Sequence, residues 1–139
     1  KTSEVIKKCF EELILHKVNL KGIILKPNMI LPGNKSKDKI SNKEVAKLTL
    51  KCLKDSVPLE VPGIAFLSGG QSSDLAAARL NKLNKLYMNQ CPWKLTFSYG
   101  RALQEDALKK WAQESEKDAQ NALIHRAKMN HLASIGKMI

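Results

Sequence analysis

Aromatic residues make up only 5% of this 139-residue chain. Arginine is scarcer still. Lys and Arg together number 24, yet Arg79, Arg101 and Arg126 are the only arginines. Nucleic-acid readers usually add arginine or stacking aromatics to their positive charge. The net charge of +11 therefore reads as a lysine-rich solvated surface, and no nucleic-acid partner is expected. The one lysine cluster, Lys35, Lys37 and Lys39, sits in a polar loop interrupted by Asp38. No run approaches the ~18 uncharged apolar residues of a membrane span, so no membrane partner is expected. Three cysteines (Cys9, Cys52, Cys91) with no CxxC pair argue against a disulfide framework or a cysteine zinc site and fit a reducing cytoplasm. Three histidines show no HxH or HExxH spacing. His125 and His131 fall on different helix faces, and His16 sits near a helix end. All three read as surface or capping residues. The chain has no initiator Met and no signal-peptide apolar region, and a helical pattern starts almost at once. It reads as cut from something longer.

What is present is alternation. Val5, Ile6, Cys9, Phe10 and Leu13 predict a helix over 3–17 with one buried face. The run Gly22-Ile23-Ile24-Leu25-Lys26, closed by Pro27, predicts a buried strand. A polar loop spans 32–40. Ser41 and Glu44 form a capping-box pattern that opens a helix carrying Val45, Leu48, Cys52 and Leu53 on one face. Gly63-Ile64-Ala65-Phe66-Leu67 is a second strand without polar alternation, as in sheets buried on both faces. Ser72 or Ser73 can cap the helix that follows, to about Leu86. Leu95-Thr96-Phe97-Ser98 is a third strand, and helices through Trp111 and through Arg126 and Asn130 close the chain. Trp93 and Trp111 are expected to pack beside the last strand. The order α-β-α-β-α-β-α-α implies βα units on a parallel sheet in an α/β fold.

Polar residues gather after every predicted strand, the edge that carries the active site in α/β folds. Lys26 is the only charge on its apolar strand. Burial there lowers an ammonium pKa, and the neutral amine can condense with a ketone to a Schiff base. A lysine whose ammonium snorkels to water is the alternative. Ser68-Gly69-Gly70 follows the second strand and precedes a helix, where backbone N–H groups can meet an anion. An ordinary tight turn is the alternative. Ser98-Tyr99-Gly100-Arg101 repeats the device with a guanidinium, whose geometry suits phosphate. A helix-start surface arginine is its alternative. A reactive lysine followed by two anion-friendly loops suggests imine chemistry on a phosphorylated carbonyl compound.

Leu25-Lys26-Pro27-Asn28-Met29, Phe66-Leu67-Ser68-Gly69-Gly70-Gln71-Ser72 and Trp93 to Leu103 resemble class I fructose-1,6-bisphosphate aldolase, in order and over essentially the whole chain. Arg126-Ala127-Lys128-Met129-Asn130 further resembles the bacterial branch. The resemblance implies a (β/α)₈ TIM barrel. A complete barrel takes about 250 residues, so residues 1–139 are expected to be the C-terminal part of one barrel domain, its last three βα units plus flanking helices. It also implies that Lys26 is the Schiff-base lysine, and that Ser68, Gly69, Gly100 and Arg101 hold a substrate phosphate, with Ser98 in the same motif. The implied reaction is reversible cleavage of fructose 1,6-bisphosphate to dihydroxyacetone phosphate and glyceraldehyde 3-phosphate, with the protonated imine in place of a metal, so the resemblance implies no metal and no cofactor.

The family's acidic general acid/base residues and further lysines come from earlier strands, outside this chain. The rest of the barrel is therefore an expected partner, and the complete protein an expected homo-oligomer. The chain alone is expected to be inactive, with inward side chains such as Ile24 and Phe66 missing their partners. A non-catalytic fragment and a pyridoxal-phosphate-type lysine protein are the competing functional readings.

Overall fold

The computed structural model describes residues 1–33, 35, 36, 39–113 and 115–139. Five helices and three strands follow the predicted order: α1 (Thr2–Leu15), β1 (Ile24–Leu25), α2 (Asn42–Ser56), β2 (Gly63–Phe66), α3 (Ser73–Tyr87), β3 (Lys94–Phe97), α4 (Arg101–Trp111) and α5 (Glu116–Ser134). Lys37 and Asp38 of the lysine cluster lie outside the described residues, as does Asn34. Lys35 and Lys39 are exposed.

The strands form a parallel sheet in the order β1-β2-β3. Register sets Ile24 beside Gly63 and Gly63 beside Lys94, then Leu25 beside Ile64 and Ile64 beside Leu95. Successive side chains alternate faces. Ile64 and Phe66 are fully buried, and Leu95 is buried with them, so that face carries the helices. Ile24, Lys94 and Thr96 lie on the other face and are exposed.

Two expectations change here. Burial on both faces is not reached: on the open face Ala65 of β2 is half-buried and its neighbours Ile24, Lys94 and Thr96 are exposed, because the helices cover one face of the sheet. Phe66 is not an inward residue without partners. It lies in the core with Leu80, Leu83 and Val45, whereas Ile24 is 60% exposed.

Local chemistry sets the helix starts. The Ser41 hydroxyl accepts from Glu44 N–H at 3.1 Å, and the Ser72 hydroxyl from Leu75 N–H at 3.3 Å, each satisfying a free first-turn donor. The chain end folds back over α3. Gly136 has φ +69°, and a Cβ there would stand 2.9 Å from the Lys85 backbone nitrogen. Beyond it, the Asn81 side chain both donates to Met138 O (2.8 Å) and accepts from Met138 N–H (3.1 Å).

Trp93 packs as expected. It is buried and donates to Pro58 O at 2.9 Å. Trp111 does not, being 66% exposed. It ends a helix that packs on α5 and α3, which keeps its indole away from the last strand. His125 and His131 are exposed, and His16 occupies the C-cap of α1.

Candidate functional site at the strand ends

All predicted site residues fall at the C-terminal edge of the sheet. Lys26 directly follows β1, Ser68 lies two residues past β2, and Ser98 directly follows β3. Parallel pairing continues a step beyond the strands. Leu67 N–H donates to Pro27 O at 3.0 Å, and Ser98 N–H to Phe66 O at 2.8 Å. By the alternation of faces, Lys26 follows Ile24 and Ser98 follows Thr96 onto the open side. Both are exposed. The burial expected for Lys26 is thus absent. Leu25 gives it no cover because β1 ends there, at the edge of the sheet.

The loop after β2 is built differently. Gly69 (φ +59°) and Gly70 (φ +80°) both occupy the left-handed region, which suits glycine and disfavours side chains. Two Gln71 groups close the turn on one acceptor. Its backbone N–H and its side-chain amide donate to Ser68 O at 3.1 and 2.8 Å. The Gln71 carbonyl in turn accepts from Arg79 Nη1 at 2.8 Å, and Arg79 Nε donates to Asn42 Oδ1 at 3.3 Å. Arg79 is half-buried, and that burial holds its pKa below the ordinary arginine value.

A cavity of about 480 Å³ opens between this loop and one side of α4, from Arg101 to Ala112 just past its end. Ser68, Gly70, Gln71, Arg101, Glu105 and Lys109 are among its walls. Of the predicted residues, it gathers Ser68 and Arg101. Gly69 and Gly100 flank those two in sequence without lining it, and Lys26 and Ser98 stand apart on the open face. Gly100 is the N-cap of α4 and carries no side-chain cap, so the first-turn N–H groups beside Arg101 have no side-chain acceptor from that position.

Two buried groups stiffen the surroundings. The Tyr99 hydroxyl donates to Ala76 O at 3.1 Å, and burial pushes its pKa far up. That bond ties the loop after β3 to α3. The Arg126 guanidinium is 8% exposed. It spans Asp74 at the start of α3 (2.7 Å) and Asp106 in α4 (2.8 Å). Burial opposes its charge, but the hydrogen bonds to the two carboxylates outweigh it and raise the pKa. The helices that carry the two loops are therefore locked together.

Sequence reasoning missed the roles of Gln71, Arg79 and Asn42. The scarcity of arginine was the available signal. Two of the three, Arg79 and Arg126, hold this edge together, and the third lines the cavity.

The family described as fructose-bisphosphate aldolase class-I matches residues 1–139. Fructose-bisphosphate aldolase 2 of Caenorhabditis elegans is 47% identical over 138 residues, which are 98% of this chain and 37% of that protein. A probable fructose-bisphosphate aldolase class 1 of Xylella fastidiosa is 44% identical over 139 residues, 98% of this chain and 41% of that protein. A solved structure of fructose-bisphosphate aldolase from Plasmodium falciparum, in complex with TRAP and a small molecule inhibitor, superposes with a TM-score of 0.93 at 41% identity. It covers 99% of this chain and 40% of the solved one. This chain thus spans about two fifths of the length of its relatives, and its three parallel strands and five helices are a piece of their TIM barrel. Matched from its first residue to its last, and nearly superposable on the solved enzyme's corresponding part, the chain belongs to the class I fructose-bisphosphate aldolase family.

Proposed function

We propose that residues 1–139 are the C-terminal part of a single barrel domain that cleaves fructose 1,6-bisphosphate reversibly into dihydroxyacetone phosphate and glyceraldehyde 3-phosphate. In this reading the chain supplies the imine lysine and one phosphate cup. The observation that carries it is the cavity at the strand ends, where Ser68 and Arg101 converge beside two left-handed glycines, one strand away from Lys26.

The Lys26 amine adds to the substrate ketone and water leaves, giving a protonated imine. The carbon–carbon bond between the α and β positions then breaks. Its electron pair moves toward the imine nitrogen, leaving an enamine, while the β oxygen loses its proton and departs as the aldehyde. Protonation of the enamine carbon and hydrolysis of the imine return dihydroxyacetone phosphate and the free lysine. Ser68, Gly69, Ser98, Gly100 and Arg101 hold a phosphate, with Arg101 making a charge-assisted pair. The carboxylates that move protons, and the surface that desolvates Lys26, belong to the remainder of the barrel, which is the first partner of this chain. The complete protein assembles as a homo-oligomer in the cytoplasm. No helix of the described residues is long and apolar enough to cross a membrane.

The test is borohydride trapping of the full-length protein with dihydroxyacetone phosphate, followed by peptide mapping. Label on the Lys26 peptide is expected. Label elsewhere, with the Lys26 peptide untouched, removes the assignment. The purified 139-residue chain, assayed in parallel, is expected to show no turnover. Cleavage by it at the rate of the full-length protein sinks the division of labour.

A further inference from the structure

Arg79 is a cation with no carboxylate partner among the described residues, since the ion pairs found there use other groups. A half-buried guanidinium without a counter-charge is costly, and this one is spent on two neutral amides. Nη1 donates to Gln71 Oε1 at 2.8 Å and Nε to Asn42 Oδ1 at 3.3 Å. Asn42 opens α2, the helix after β1, and Gln71 closes the loop after β2. One side chain thus fastens the loop to the neighbouring βα unit.

The bond to Gln71 also fixes an orientation. A primary amide can present either its oxygen or its nitrogen to a neighbour. Arg79 offers only donors, so it selects the Gln71 oxygen. The Gln71 nitrogen is then left pointing at Ser68 O, to which it donates at 2.8 Å. With the Gln71 backbone N–H also bonded there, the Ser68 carbonyl is engaged twice and its peptide plane is held. The same peptide unit carries the Gly69 N–H. Gly69 and Gly70 have no side chain to restrain them and sit in left-handed backbone. The chain of bonds behind it supplies the restraint that side chains cannot give this glycine pair.

We propose that Arg79 is a positioning residue for the substrate-phosphate loop, acting through Gln71 on the peptide units of Ser68, Gly69 and Gly70. The proposal rests on the aldolase reading of this site and adds a residue to it. Its uncompensated charge also favours an anion in front of the loop.

The experiment uses the full-length protein and four variants: Arg79→Ala, Arg79→Lys, Gln71→Ala and the Arg79→Ala/Gln71→Ala pair. Misplaced binding groups typically lower performance by roughly 10- to 100-fold. Arg79→Ala is expected to raise KM for fructose 1,6-bisphosphate about tenfold. The kcat and the borohydride label at Lys26 should stay near wild type. Arg79→Lys keeps a donor and a charge, and should recover much of the loss even if Arg79→Ala folds poorly, which thermal melting will report. In the Gln71→Ala background, removing Arg79 should add little, because the path is already cut. Calorimetric titration with inorganic phosphate reads the same loop without turnover and should weaken in parallel. If wild type traps nothing at Lys26 yet phosphate binding still falls in Arg79→Ala, the aldolase reading fails and the positioning role stands. Unchanged KM and phosphate affinity in Arg79→Ala overturn the role. So do losses that simply add in the double variant, or a fall in kcat with KM unmoved.

Discussion

The first and second βα units start from equally apolar strands and end in different environments. Ile23-Ile24-Leu25 is no less hydrophobic than Ile64-Ala65-Phe66. Ile24 nevertheless lies on the open face and is 60% exposed, while Ile64 and Phe66 meet the helices and are fully buried. On the helix face the register sets Leu25 beside Ile64, and Leu25 is only partly buried. There the difference is that β2 is paired on both edges and β1 on one. Hydrophobicity marks a strand, and the face a residue takes and the number of neighbouring strands decide its burial. The chemistry divides in the same way. The loop after β2 is held by bonds from Gln71, Arg79 and Asn42, all within this chain. Lys26, after β1, stands exposed on the open face at the edge of the sheet.

The sharpest way to break this comparison is to exchange activity for stability. In the full-length protein, Lys26→Met should lower cleavage by several powers of ten, as removal of a covalent nucleophile does. In the 139-residue chain, where Lys26 is exposed, folding stability read by urea denaturation should move by less than about 0.5 kcal/mol. Phe66→Ala should do the reverse. It empties a fully buried position among Leu80, Leu83 and Val45 and should cost about 3–5 kcal/mol, with the borohydride label at Lys26 retained wherever the protein remains folded. Ile24→Ala at the edge should cost well under half of that in the isolated chain. An equal cost would mean that β1 is already packed on both sides in solution.

A second test sets the loops after β2 and β3 apart from the lysine. Arg101→Ala in the full-length protein should weaken phosphorylated substrates by about 2–4 kcal/mol, the loss of a charge-assisted pair. Steady-state kinetics with an unphosphorylated ketose should show a much smaller change. Equal losses for both substrates would place Arg101 outside the phosphate cup.

The same contrast explains what could be read in the sequence. Element order, the parallel sheet and the gathering of polar residues at strand ends follow from local periodicity and turn chemistry, and strand bounds came within one or two residues. Ser41 and Ser72 were legible because a cap acts over three residues. Exposure was not legible, because it depends on neighbours. That is why Lys26 was expected buried and Trp111 packed. The arginine network was also hidden. Arg126 meets Asp74 across 52 residues and Asp106 across 20, and Arg79 meets Asn42 across 37. Spacing within one helix carries no information on partners that distant. The family motifs located the loop residues, but the cavity gathers only Ser68 and Arg101 of them. Other walls, Gln71 and Glu105 among them, follow from how α4 lies over the loop.

The smallest expected effect is also the one on which the two units should agree. Ser41 caps α2 in the first unit, and Ser72 caps α3 in the second. Their acceptor distances are close, 3.1 Å to Glu44 N and 3.3 Å to Leu75 N, and both residues are exposed. An N-cap satisfies a donor of its own helix, and water can partly replace it, so its worth does not depend on how many strands flank the unit. Ser41→Ala and Ser72→Ala should therefore each cost about 1 kcal/mol, by urea denaturation of the same preparation. If the two differ by much more than the measurement error, with Ser72→Ala the costlier, the loop after β2 draws on its cap for more than a helix start. The bonds from Gln71 to Ser68 would then be insufficient to hold it alone.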